Sequence, residues 1–169
     1  MNEIEGWLLG RLPDQWYEGS PEVTADREEI VVVLPLASPS TSGDDENDEQ
    51  VARSAEAGRI ERFREDTRTQ RMHIADDAER RFGRKVAWGA SCGQTRTVFT
   101  NLSVPVMTRL RQPERRVLDT LVEAGVARSR SDALAWSVRL VGQHEGDWIA
   151  QLRDALTAVR EARSAGPAA

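Results

Sequence analysis

The sequence predicts an α+β protein: a small N-terminal strand and helix domain with a β-hairpin, followed by a helical C-terminal module. Three observations carry that expectation. Ile30, Val31, Val32 and Val33 form an unbroken β-branched run, the composition of a buried strand. Residues 85–104 approach a period of two on either side of Gly93-Gln94, the pattern of a hairpin. Long segments before and after the hairpin repeat apolar side chains at helical spacing.

Taken in order, residues 1–37 form an N-terminal αβ segment in which Pro13, Gly19 and Pro21 make the first part turn-rich and Pro35 ends the strand. Residues 38–50 combine small polar side chains with five carboxylates and no apolar group. Such a segment has nothing to bury against its ordering entropy, and a disordered acidic linker is expected. Residues 51–94 supply a long Arg-rich helix, ending near Phe82, and the first hairpin strand. A break is anticipated near Gly58 or Thr67, and Arg64, Arg68 and Arg71 fall at i, i+4 and i+7 on one face. Residues 95–163 give the second hairpin strand and three helices. Pro113 suits a first helical turn and Gly125 a left-handed cap, while Ser129 with Asp132 resembles a capping box that opens the second helix. Trp148, Ile149, Leu152, Leu156 and Val159 mark the third helix, and residues 164–169 read as a disordered tail.

Composition narrows the function classes. The chain of 169 residues carries a formal net charge of −5, but the charge is unevenly spread: −11 over residues 1–50, +7 over 51–130 and −1 over 131–169. No apolar run approaches the roughly 20 residues that cross a bilayer, and the acidic start lacks the plan of a signal peptide. A cytoplasmic protein with no membrane partner is therefore expected. One cysteine, Cys92, allows no internal disulfide and no thiolate metal site, and a buried reduced thiol is the simplest reading. Neither His73 nor His144 has a metal-ligand spacing, and no glycine-rich phosphate loop precedes a helix, so no metal and no cofactor are expected. Gly89-Ala90-Ser91-Cys92-Gly93 matches G-x-S-x-G literally. A nucleophile elbow, however, needs a helix after the serine, and the residues here read as strand. The expectation is a protein that is not an enzyme.

The remaining chemistry suits DNA. On residues 99–104 the alternation turns Phe99, Asn101 and Ser103 outward as base-reading candidates, with Asn101 suited to adenine. Arg128, Ser129, Arg130 and Ser131 stand at the start of a helix, where backbone amides and guanidiniums favour phosphate. Arg80, Arg81, Arg84 and Lys85 form an auxiliary basic patch. The stretch "LSVP…VLDTLVEAGVARSRSDALAWSVRLV", within residues 97–141, resembles the ribbon-helix-helix family of Arc and MetJ repressor type. That resemblance implies an intertwined homodimer that places a two-stranded ribbon in double-stranded DNA and clamps phosphates with its second helices. It departs from the pattern where Pro105–Gln112 lengthens the link to the first helix, and residues 1–90 are left without a family. The expected function is a DNA-binding transcriptional regulator of ribbon-helix-helix type, acting as a dimer and nucleoid-associated. The alternative is a non-enzymatic adaptor or assembly protein that uses the helical module for dimerisation or partner binding without DNA. In either case the N-terminal domain offers a place for a protein partner.

Overall fold

A computed structural model of the chain describes residues 3–39 and 46–165, and the fold is α+β, divided into a unit ending at Pro105 and a unit beginning at Val106. The first unit opens with helix α1, Glu3–Arg11, and a single 3-10 turn at Asp14–Trp16. Leu8, Leu12 and Trp16 are buried at four-residue intervals, so the segment that reads as turn-rich contributes a side of the core. Strands β1, Glu22–Ala25, and β2, Glu29–Pro35, follow as an antiparallel pair. Asp26 closes the turn between them, its carboxylate accepting from the backbone N–H groups of Glu28 and Glu29 at 2.9 and 2.8 Å.

Helix α2, Glu46–Asp66, and helix α3, Arg68–Phe82, then cross over to strand β3, Lys85–Cys92, which lies parallel to β2. Strand β4, Thr95–Val98, returns antiparallel to β3 and completes a four-stranded sheet in the order β1-β2-β3-β4. Ile30, Val32 and Leu34 of β2 and Trp88 of β3 form the core with Leu8, Leu12, Trp16, Ile74 and Ala75 from the helices. A smaller cluster joins Ile60 of α2 to Leu36, Ala90 and Cys92. Cys92 is a free, buried thiol, and burial pushes its pKa up. Gly89 is needed where it stands, because a Cβ there would lie 2.8 Å from the carbonyl oxygen of Thr97 on the paired strand.

Two expectations change here. The acidic segment does not stay irregular to residue 50: α2 already begins at Glu46, and Glu49 pairs with Arg53 one turn on. The part of the linker at 40–45, and the tail beyond 165, lie outside the described residues. The second hairpin strand does not run to residue 104. The paired strand ends at Val98; the Phe99 N–H still donates to the Trp88 carbonyl of β3 at 2.7 Å while its ring packs against the core, and residues 100–105 are exposed irregular chain.

The second unit holds helices α4, Gln112–Glu123, α5, Arg130–His144, and α6, Gly146–Ser164. Pro113 lies in the first turn of α4, and Gly125, at φ 73°, follows its last turn in the left-handed conformation. Leu118, Ala127 and Ala133 are its buried residues among those described, with Leu110, Leu121, Val122 and Leu134 packed around them.

Candidate anion-binding arginine cluster

The long helical segment breaks at Thr67, and the break creates a site. Where α2 gives way to α3, the Thr67 backbone N–H still reaches the Phe63 carbonyl at 3.1 Å, but the Arg64 carbonyl is left for another donor. Arg71 supplies it. Its Nη2 donates to that oxygen at 2.6 Å and its Nε donates to Thr67 Oγ1 at 2.9 Å. Its guanidinium carbon lies 4.9 Å from the centre of the Phe99 ring, and Arg64 approaches the same ring at 5.7 Å. Phe99 is in turn set against Phe63 of α2, with ring centres 6.4 Å apart.

Electrostatics make this corner unusual. Arg71 is 5% exposed and has no carboxylate partner among the described residues. Burial lowers its pKa to about 10, with further lowering by the charges of Arg64 and Arg68. Three guanidiniums thus gather on one side of the helix break, one of them desolvated and two exposed. A cavity of about 280 Å³ shares Phe63 and Thr67 with the cluster and adds Trp16, Tyr17, Arg59 and Arg62, along with the carboxylates of Glu18 and Asp66, to its walls. Planar guanidinium forks beside aromatic faces suit phosphate and stacked bases better than they suit any catalytic step.

Elsewhere in the first unit the basic residues are largely matched. Arg11 and Arg80 both reach Asp77, Arg81 pairs with Glu3, Lys85 with Glu79, and Arg96 with Glu22 at 3.0 Å. The auxiliary patch expected at residues 80–85 is therefore mostly neutralised within the chain, leaving Arg84 half-buried near Asp26. At the start of α5 the alternating serines and arginines divide by role. Ser129 is the cap: its Oγ accepts from the Asp132 backbone N–H at 3.2 Å, while Asp132 accepts from the Arg128 N–H at 3.0 Å. Arg130 is held in a fork by Asp119, at 2.6 and 2.8 Å, and the hydrogen bond keeps that carboxyl below its ordinary range. Arg128, whose Nε lies 3.7 Å from the Asp132 carboxylate, and Ser131 remain exposed. Among the strand candidates, Asn101 and Ser103 are exposed on the irregular segment, whereas Phe99 is turned inward and belongs to the arginine cluster.

The shared face of Arg64, Arg68 and Arg71 is visible in their spacing; Arg59 and Arg62 are not singled out by any pattern, and only the packing of Tyr17 and Leu36 opposite them makes them cavity residues. No cluster of potential metal ligands is found among the described residues.

Comparison with known proteins places this arrangement. Residues 2–98, which contain α1 to β4, match the model of the N-terminal domain of Rv1265-like proteins, and residues 111–163 match that of the Mb1296 C-terminal domain. The chain belongs to the Rv1265-like family. It is 56% identical over 161 residues to the uncharacterised protein Mb1296 of Mycobacterium bovis and, to the same extent, to the uncharacterised protein Rv1265 of Mycobacterium tuberculosis; the match covers 95% of this chain and 69% of theirs. No solved structure matches. The resemblance to ribbon-helix-helix proteins is corrected by this result, because the Mb1296 C-terminal domain matches both helices that suggested it, from residue 111 onward, with no ribbon-helix-helix match. The fold gives the physical reason: the segment leading into α4 forms no strand in this chain, and the "SRSD" turn is a helix cap whose Arg130 is paired with Asp119 of α4. The helix break of this chain lies within the residues matched to the N-terminal domain, and Phe99 lies just past them.

Proposed function

We propose that the chain is a non-enzymatic DNA-binding regulator that acts as a dimer in the cytoplasm, at the nucleoid, and holds the phosphodiester backbone with the arginines of residues 59–71. One observation carries the reading. In a chain of net charge −5, Arg59, Arg62, Arg64, Arg68 and Arg71 have no carboxylate within ion-pair distance among the described residues, while most of their basic neighbours do. Cations without an ion-pair partner among the described residues, one of them buried, favour an anion from outside. Phosphate oxygens suit them by charge and by the geometry of the fork, and the Phe99 ring adds a face on which the guanidiniums are already ordered. Asn101 and Ser103, exposed just beyond Phe99, are the side chains placed to meet base edges, and Arg128 and Ser131 offer a second phosphate contact. Such binding uses no cofactor.

Fluorescence anisotropy with a duplex of about 20 base pairs at low salt tests the reading, since non-specific complexes of this kind form at roughly 10⁻⁴ to 10⁻⁶ M. Arg64→Ala/Arg68→Ala is expected to weaken binding at least tenfold, and Arg130→Ala, whose guanidinium is occupied by Asp119, to change it little. Binding indifferent to the first pair and sensitive to the second would place the contact elsewhere. The adaptor reading draws on the exposed apolar side chains of α6, and predicts dimerisation with no response to duplex DNA in the same titration.

A further inference from the structure

Helix α6, Gly146–Ser164, has no buried residue. Its large apolar side chains nevertheless share one side, because Trp148, Leu152, Leu156 and Val159 recur at steps of four, four and three, and they are 54%, 43%, 55% and 52% exposed. Val138 and Val141 of α5, 66% and 49% exposed, continue the surface, and a groove of about 400 Å³ runs between the two helices.

We infer that this α5–α6 face is the interface with a second copy of the chain; the inference rests on the dimer of the proposed function and gives it a location. Three arguments select that occupant. The second unit, residues 106–169, buries only Leu118, Ala127 and Ala133 among its described residues, far too little to hold three helices. An unsupported helix of 19 residues is marginal in water, so whatever covers α6 must accompany it whenever it is folded. A second copy is always present in equal amount, and a two-fold axis lets one apolar face cover itself. The area agrees. Half-exposed side chains of this size offer on the order of 500 Å² per copy, and the pair approaches the roughly 1,200 Å² at which specific interfaces begin once neighbouring small residues are included.

Sedimentation equilibrium of the full chain, with thermal unfolding followed by circular dichroism across a hundred-fold range of concentration, tests the inference. A dimer is expected, with the midpoint of the helical transition rising by several degrees over that range. Leu152→Asp/Leu156→Asp is expected to give monomers and abolish the dependence. A monomeric wild type with a concentration-independent transition overturns the inference, whether or not a different partner later proves to bind. So does a dimer that the double variant leaves intact. A chain that binds duplex DNA while monomeric defeats the interface and leaves the arginine reading standing; a dimer that ignores DNA does the reverse.

Discussion

Gly93 is a position at which a single methyl group should be costly. It makes the β3–β4 turn at φ 53°, where a residue with a Cβ loses about 1 kcal/mol. That Cβ would also fall 1.9 Å from Oε1 of Glu56 and 2.6 Å from its Cδ. Glu56 is a buried carboxylate on α2 whose Oε2 accepts from the Thr95 backbone N–H at 3.1 Å and from Thr95 Oγ1 at 2.7 Å. The side chain has to withdraw, and both bonds go with it, at about 1.5 kcal/mol or more apiece for a charged acceptor. Gly93→Ala should therefore cost about 4 kcal/mol and lower the Tm of the first unit by well over 10 °C. The tie matters for the site, because it fixes α2 to the turn that leads through β4 to Phe99. Urea denaturation of Gly93→Ala, Glu56→Ala and the double variant measures the coupling. In the Glu56→Ala background the same methyl group should cost only about 1 kcal/mol, leaving roughly 2 to 3 kcal/mol of interaction in the cycle. Additive costs would refute the reasoning, since they would mean that the carboxylate and the turn do not meet.

Other outcomes follow from the same geometry. Ser129→Ala should destabilise the α4–α5 pair by about 1 kcal/mol through loss of the cap, while leaving affinity for duplex DNA nearly unchanged. Arg71→Lys keeps the charge but loses the fork to Thr67 and the Arg64 carbonyl and the flat contact with Phe99; a loss of about 1 to 2 kcal/mol in chemical denaturation is expected. Asp119 and Asp132 have pKa values held below the ordinary carboxylate range, the first by Arg130 and the second chiefly by the Arg128 backbone N–H. Groups lowered in this way stabilise the folded state above the unfolded carboxylate pKa of about 3.9 and cease to do so as pH falls through their folded values. The stability of the second unit should accordingly fall on acidification below about pH 4, and Asp119→Asn should flatten that acid limb.

Much of the fold is legible in the sequence where local chemistry decides it. Four β-branched residues announce β2, the cap at Ser129 and the turn at Gly93 are written in residue type, and the break at Thr67 follows from a polar stretch that no apolar stripe supports. What is not legible depends on distant partners. The helix α1 is masked by the prolines and glycine that follow it, although Leu8, Leu12 and Trp16 keep helical spacing. The parallel pairing of β2 with β3 is set by a crossover of two helices, which no local pattern encodes. Phe99 reads as outward by alternation, but the β4 ladder ends at Val98, and at Phe99, whose N–H still reaches the Trp88 carbonyl, the ring packs inward against Phe63. The basic surface misleads for a similar reason: a run such as residues 80–85 looks free until folding brings Glu3, Asp77 and Glu79 beside it.

The salt dependence of duplex binding tests the central claim most directly. Each phosphate neutralised should contribute about 0.9 to the slope of log K against log[salt]. Replacing Arg64 and Arg68 by alanine together should therefore flatten that slope by about 1.8, with the fold unchanged by circular dichroism because neither guanidinium has a carboxylate partner in the described chain. An identical slope for the wild type and the double variant would contradict the account.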